Sequence, residues 1–196
     1  MIIVNRSIGD CTPFTKATFL TGEASGELLD NGYPSNPESG FHSDSIPRDR
    51  TRFLTKEDYT VSIAHFPHAL DFFSDGSLYI IDSPGHLSGH VNVLARTSED
   101  GSWIYLGGDT CHDVRLLTGQ RQMFFKADAS GKVISCMHVD KDKAQEHINR
   151  VGNLMKLKEV HVLVAHDWEW YENNTGGSAF LPGTIPPVQN IANDGL

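Results

Sequence analysis

No stretch of this chain approaches the roughly 20 consecutive apolar residues that a membrane-spanning helix needs. The first ten residues, MIIVNRSIGD, hold only a short apolar patch without the pattern of a cleavable signal. Basic runs are missing too. Lysine and arginine number 16 against 25 acidic residues, a formal net charge of −9, and the densest positive cluster, PRDRTR at 47–52, is interrupted by an aspartate. A nucleic-acid partner is therefore not expected, because binding a polyanion needs clustered cations to displace its counterions. Cysteine is scarce: there are three, Cys11, Cys111 and Cys136. An odd and sparse count argues against a disulfide framework and for a reducing compartment. These absences point to a soluble, cytoplasmic protein whose partner is a small molecule, with no membrane and no nucleic acid involved.

What is present is an ordinary globular mixture, 39% hydrophobic and 21% charged over 196 residues, enough for one domain with a sizeable core. ATFL (17–20) reads as a short buried strand. Residues 21–51, crowded with Gly, Pro, Ser and Asn, read as one long flexible loop. Strand patterns then follow closely. YTVSIAHF (59–66) alternates; ALDFF (69–73) and LYIID (78–82) form a hairpin around SDGS; VNVLAR (91–96) and WIYLGG (103–108) form a second. In residues 140–157, apolar Ala144, Ile148, Val151 and Met155 recur at the helical period, with Asp140 as N-cap. EVHVLVAH (159–166) is a strand ending at the polar HDWEW. The chain is expected to form one domain over residues 1–175, with a tail at 176–196.

Three of these strands end in groups that can bind a metal. LYIIDSPGH ends at His86, WIYLGGD at Asp109 and VHVLVAH at His166. Ligands at the ends of rigid strands can converge on one edge of a sheet, and imidazole with carboxylate suits zinc and similar divalent ions. The glycines at 85, 89, 107 and 108 allow tight turns beside such a site. Singly, each residue is better read as a surface or turn residue. That plain reading applies more strongly to His90, His112, His138 and His147, the last taken as helix surface. Cys111 is read as a small buried hydrophobe. Trp168, Trp170 and Tyr171 either line a pocket or pack the C-terminal tail.

Taken in order, SPGHLSGH, WIYLGGD and VLVAHD resemble the C-terminal part of the metallo-β-lactamase superfamily, in the branch of the N-acyl-homoserine lactone lactonases and their fungal relatives. The resemblance runs from about Gly9 to Trp170. It implies an α/β (α+β) fold, the αββα sandwich, N-terminally truncated. It also implies up to two zinc ions: His86 a ligand of the first, Asp109 the bridging carboxylate, His166 a ligand of the second. His90 and Asp167 would support the ligands from behind. His112, three residues past Asp109, would donate a hydrogen bond to a developing oxyanion.

One family element is lacking. H-x-H-x-D-H, which supplies four ligands, occurs nowhere in the 196 residues. Arg6 and Ser7 stand where its Asp and His would fall, and the β-layer before it is missing as well. The resemblance implies a metal-dependent hydrolase of lactones, lactams or thioesters. The missing motif implies the alternative, a catalytically impaired or partner-binding remnant. An uncovered sheet edge would leave a homo-oligomer open as a partner.

Overall fold

The computed structural model of the chain describes residues 2–3, 11–99, 101–180 and 183. In chain order the elements are β1 (Ile2–Ile3), β2 (Phe19–Gly22), α1 (Ser25–Asp30), β3 (Thr51–Leu54), β4 (Val61–Ile63), β5 (Phe66–Asp71), β6 (Leu78–Asp82), β7 (Val91–Arg96), β8 (Trp103–Leu106), β9 (Phe125–Ala127), β10 (Val133–Cys136), α2 (Lys141–Leu154), β11 (Val160–Leu163) and α3 (Trp168–Asn174), with short 3-10 turns between. Six strands form the main sheet in the order β11-β8-β7-β6-β5-β4, β1-β2-β3 form a small parallel sheet, and β9 and β10 a two-stranded ribbon.

Burial patterns explain the layering. Successive strand residues point to opposite faces, and β6 carries Ile80 and Ile81, both 0% exposed. Ile81 joins Phe66, Leu94 and Tyr105 under Ile148, Val151 and Leu154 of α2. Ile80 joins Val91 of β7 and, from the small sheet, Leu20 and Leu54. Phe19, beside Leu20 on β2, faces the other way onto Leu29 of α1 and Ile46. The stack is therefore helix, sheet, sheet, helix, an αββα sandwich. β7 likewise has apolar partners on both faces, Leu94 in the cluster under α2 and Val91 in the cluster with the small sheet, which is why VNVLAR reads as a nearly continuous apolar run.

Both expected hairpins form, β5 with β6 and β7 with β8, each antiparallel. The stretch 59–66 is not one strand. The chain reverses at Ala64, whose φ is 50°, and β4 pairs antiparallel with β5. Reversal leaves Phe66 on the core face, 1% exposed and stacked on Tyr105 at 5.4 Å. The helix starts where expected: Asp140 accepts a hydrogen bond from the Lys143 backbone N–H at 3.0 Å. Residues 21–51 are more structured than a bare loop. They carry the end of β2, α1 and a 3-10 turn, Arg48–Arg50. The positions of Arg6 and Ser7, and nearly all of the tail after Phe180, lie outside the described residues.

Candidate functional site

Strand direction brings the candidate residues together. β6 and β8 are each antiparallel to β7, and β11 is parallel to β8. So β6, β8 and β11 run the same way, and their C-terminal ends share one edge of the sheet. The turn after each strand carries one candidate: His86 follows β6, Asp109 follows β8, and His166 follows β11.

The His86 turn is held by its glycines and by α2. Gly85 has φ +124°, and a Cβ there would lie 2.2 Å from the Ala144 backbone N. Only glycine lets the turn press against the first turn of the helix. Gly85→Ala is expected to cost about 2–4 kcal/mol through backbone strain and overpacking. A fall in urea midpoint would show it; an unchanged midpoint would contradict the packing described. Closing the same turn, the Ser83 N–H donates to the His90 carbonyl at 3.1 Å, and Ser83 Oγ lies 2.7 Å from His90 Nδ1.

His138 arrives from the opposite side. The Val139 N–H donates to the His86 carbonyl at 3.2 Å, and the Asp140 N–H to the Gly85 carbonyl at 2.9 Å. These bonds tie the segment between β10 and α2 to the His86 turn. On the third side His112 follows the 3-10 turn Gly108–Thr110, and the next turn is fixed by Asp113, which accepts from the Arg115 N–H at 2.9 Å. The Arg115 guanidinium also pairs with Asp113 and holds its carboxyl down at about 2.

The outcome is five imidazoles around one carboxylate. Ring centres of His86 lie 5.6 Å from His90, 5.1 Å from His112 and 5.3 Å from His138. His112 lies 5.2 Å from His138 and 4.8 Å from His166. His166 Nε2 is 2.8 Å from Asp109 Oδ1. One donor atom each from Asp109, His112 and His166 falls within 4.8 Å of the others. Asp109 is 2% exposed, so its charge sits in a poorly solvated place where only a cation or strong donors can offset it.

Burial keeps the inner imidazoles neutral. Desolvation is the main cause of the depression of His86 to about 3; His90, His138 and His112 add to it and Asp109 opposes it. Desolvation likewise lowers His90 and His138 to about 4 each. Both ring nitrogens of His86, Nε2 of His90 and Nδ1 of His138 are buried without a hydrogen-bond partner. Buried polar atoms are normally satisfied. Neutral imidazoles with lone pairs aimed at no donor are the form in which histidine binds metal.

Beneath the cluster lies a polar network that carries no motif in the sequence. Asn92, 0% exposed, donates to the Gly107 carbonyl at 2.7 Å. Its Oδ1 accepts from Tyr105 at 2.9 Å and Thr110 at 3.0 Å and lies 2.9 Å from His147 Nε2. This braces Gly107 and Thr110, which flank the turn that presents Asp109. His147 is thus a buried residue at 2% exposure and not helix surface; desolvation lowers it to about 3.

Of the residues singled out from sequence, His86, His90, Asp109, His112 and His166 come together here. His112 offers a ring nitrogen beside Asp109 and His166. Asp167 Oδ1 accepts from the Trp170 N–H at 3.0 Å and caps α3. His138 was missed. Cys111 is a buried core residue whose thiol is pushed up to about 12, first by desolvation. Trp170 and Tyr171 pack on Phe180, at 6.0 and 6.1 Å, and so hold the C-terminal segment.

An αββα sandwich with imidazoles and a buried carboxylate at its strand-end edge offers donors that suit a divalent metal. Comparison with known proteins gives the following likenesses. The chain is 29% identical over 188 residues to metallo-hydrolase mfmC of Annulohypoxylon moriforme, matching 82% of this chain and 49% of that protein. It is 33% identical over 111 residues to gamma-lactamase FDB1 of Fusarium pseudograminearum, matching 54% of this chain and 26% of that protein. It is also 28% identical over 176 residues to cytochrome P450 monooxygenase mpaDE' of Penicillium brevicompactum, matching 82% of this chain and 20% of that protein. A solved N-acyl homoserine lactone hydrolase, with N-hexanoyl-L-homoserine bound at its catalytic metal centre, shares the fold. Its TM-score is 0.56 at 15% identity, over 85% of this chain and 54% of that one. No family model matches the chain. The chain is thus similar in sequence to a fungal metallo-hydrolase and to a gamma-lactamase, and it shares the fold of a lactone hydrolase. It spans about half the length of mfmC and a fifth of mpaDE'.

Proposed function

We propose that the chain carries the metal centre of a hydrolase that opens a small cyclic ester or amide, a lactone or lactam, with thioesters the next candidate class. The observation that carries this reading is the grouping of Asp109, His112 and His166 within 4.8 Å, beside His86 and His138, whose buried ring nitrogens are left unpartnered. The donor set fits zinc: neutral nitrogens and one carboxylate, the first two donor types of zinc chemistry outside thiolate sites. Asp109, His112 and His166 would hold an ion, with His86 beside them. A bound zinc would supply hydroxide near neutral pH and polarise the scissile carbonyl.

The chain's own groups do the rest. Asp109 brings a buried negative charge, and burial of a carboxylate favours a cation beside it. Ser83 fixes the ring of His90, and the Asn92 network fixes the backbone at Gly107. Both contacts hold groups beside the ligands in place, as a reacting site requires. His166, with its side chain 47% exposed, marks the open side from which a substrate would approach.

The test is turnover. Zinc-equilibrated protein is mixed with a panel of γ- and δ-lactones, lactams and thioesters, and ring opening is followed by acid release. Hydrolysis of at least one cyclic class is expected. The absence of H-x-H-x-D-H from the sequence favours a second reading, a partner-binding protein that retains metal without turnover. Full metal occupancy with no hydrolysis of any panel member would select that reading and sink the first.

A further inference from the structure

The ribbon of β9 and β10 has an inner and an outer face, and the outer one breaks the usual pattern. Cys136 pairs with Phe125 and Ser135 with Lys126. Paired residues share a face and successive residues alternate, so Phe125 and Lys126 point to opposite sides. The inner side has partners in the body of the protein. Cys136 Sγ lies 3.7 Å from Met123 Sδ, Met123 packs against the main core, and Lys141 Nζ sits 5.1 Å over the Phe125 ring. One pair beyond the ladder, Phe124 stands opposite Met137 on the Lys126 side. The solvated face of an antiparallel pair is normally polar. Here Phe124 is 74% exposed and Met137 63%, with Ile134 at the bulge 63% and Val139 just beyond 70%. Single exposed apolar side chains are ordinary, but a cluster of them marks an interaction surface.

The charge around this patch is opposite to that of the chain. Residues 121–139 hold Arg121, Lys126 and Lys132, all exposed, against the single acid Asp128, while the whole chain carries −9. Asp128 is turned onto its own loop, where it accepts from the backbone N–H groups of Ser130 and Lys132 at 2.9 and 3.0 Å. The ion pairs among the described residues involve none of the three cations. A second copy of the chain fits this face poorly. Two ribbons laid face to face would set like charges together, and two chains of net charge −9 repel one another. A phospholipid surface fits both features, because its interfacial layer takes up apolar side chains and its headgroups attract lysine and arginine.

We propose that the outer face of the β9–β10 ribbon docks on an anionic phospholipid surface. Phe124, Ile134, Met137 and Val139 enter the headgroup layer, and Arg121, Lys126 and Lys132 pair with headgroup phosphates. The contact is peripheral; among the described residues no helix is long and apolar enough to cross a membrane. The net acidity that argues against a polyanionic partner for the chain as a whole does not extend to this face. It also orients the chain, since an anionic surface repels the acidic remainder and attracts the ribbon. The proposal stands apart from the metal centre and does not depend on it.

The experiment sediments the chain with vesicles of phosphatidylcholine alone and of phosphatidylcholine mixed with phosphatidylserine, at low and high salt, with circular dichroism as the check on folding. Wild type is expected to bind the mixed vesicles, and to bind them less as salt screens the cations. Phe124→Ser combined with Ile134→Ser, both at exposed positions, is expected to weaken binding by at least about tenfold. Lys126→Gln combined with Lys132→Gln, which leaves every apolar side chain of the ribbon in place, is the second variant and is expected to lose about fivefold per cation. No sedimentation of wild type with mixed vesicles at low salt would overturn the proposal, and so would folded variants that bind as wild type does. Self-association of the chain that Phe124→Ser and Ile134→Ser abolish, without vesicle binding, would give the face to a second copy and overturn the lipid assignment.

Discussion

Asp109→Asn is expected to leave the chain folded, free of bound metal and inactive. The substitution keeps shape and one carbonyl oxygen, so His166 Nε2 can still donate across the 2.8 Å contact. What it removes is the negative charge that sits, 2% exposed, among five imidazoles. A neutral amide oxygen is a poor ligand for a divalent ion, and the variant returns the cluster to neutral groups alone. Hydrolysis should fall by at least about 10³-fold, since metal activation of water contributes several kcal/mol to such reactions. Near-native far-UV circular dichroism with no metal and no turnover is the expected set. Unchanged hydrolysis would remove Asp109 from the chemistry altogether.

Acid should unfold the metal-free protein early. His90 and His147 are buried at 3% and 2% exposure, and desolvation depresses them to about 4 and about 3. In the unfolded chain both return to an ordinary value near 6.5. The folded form thus binds fewer protons between those limits, so the stability they contribute is complete above about pH 6.5 and is lost as pH falls toward 4. Each group lowers stability by about 1.4 kcal/mol per pH unit across that window, so the pair removes roughly 5 kcal/mol between pH 6.5 and 4.5. His86 and His138 are shifted in the same direction and steepen the loss. Against a typical domain stability of about 5–15 kcal/mol, the metal-free chain should unfold near pH 4–5. Urea midpoints measured from pH 7.5 to 4.5 should drop continuously below pH 6.5. A flat profile down to pH 4.5 would mean that these imidazoles are not held neutral in the fold.

The parts of the fold that the sequence made legible are those with strong local period. The paired hairpins follow from alternation around SDGS and SEDGS, and α2 from the spacing of Ala144, Ile148 and Val151 with Asp140 ahead of it. The site was legible wherever a candidate ended a strand: His86, Asp109 and His166 are placed by strand direction, β11 joining parallel to β8 after α2. His138 carried no such signal. It follows a short ribbon with mostly exposed residues, and only the backbone bonds to the His86 turn bring it inward. His147 could have been found, since it lies three residues after Ala144 on the same stripe; its polar character hid a position that the helical period marks as buried. The small sheet and α1 were out of reach. Their strands are two to four residues long and are set in Gly- and Pro-rich sequence, where tertiary packing and not local preference decides the structure.

The central claim is that these residues form a metal centre within this chain. The direct measurement is metal content of wild-type protein equilibrated with zinc, freed of excess by gel filtration and analysed by inductively coupled plasma mass spectrometry. At least one zinc ion per chain is expected, removable by chelator and restored on readdition. A content near zero from folded protein would contradict the account and leave the imidazole cluster a structural feature only.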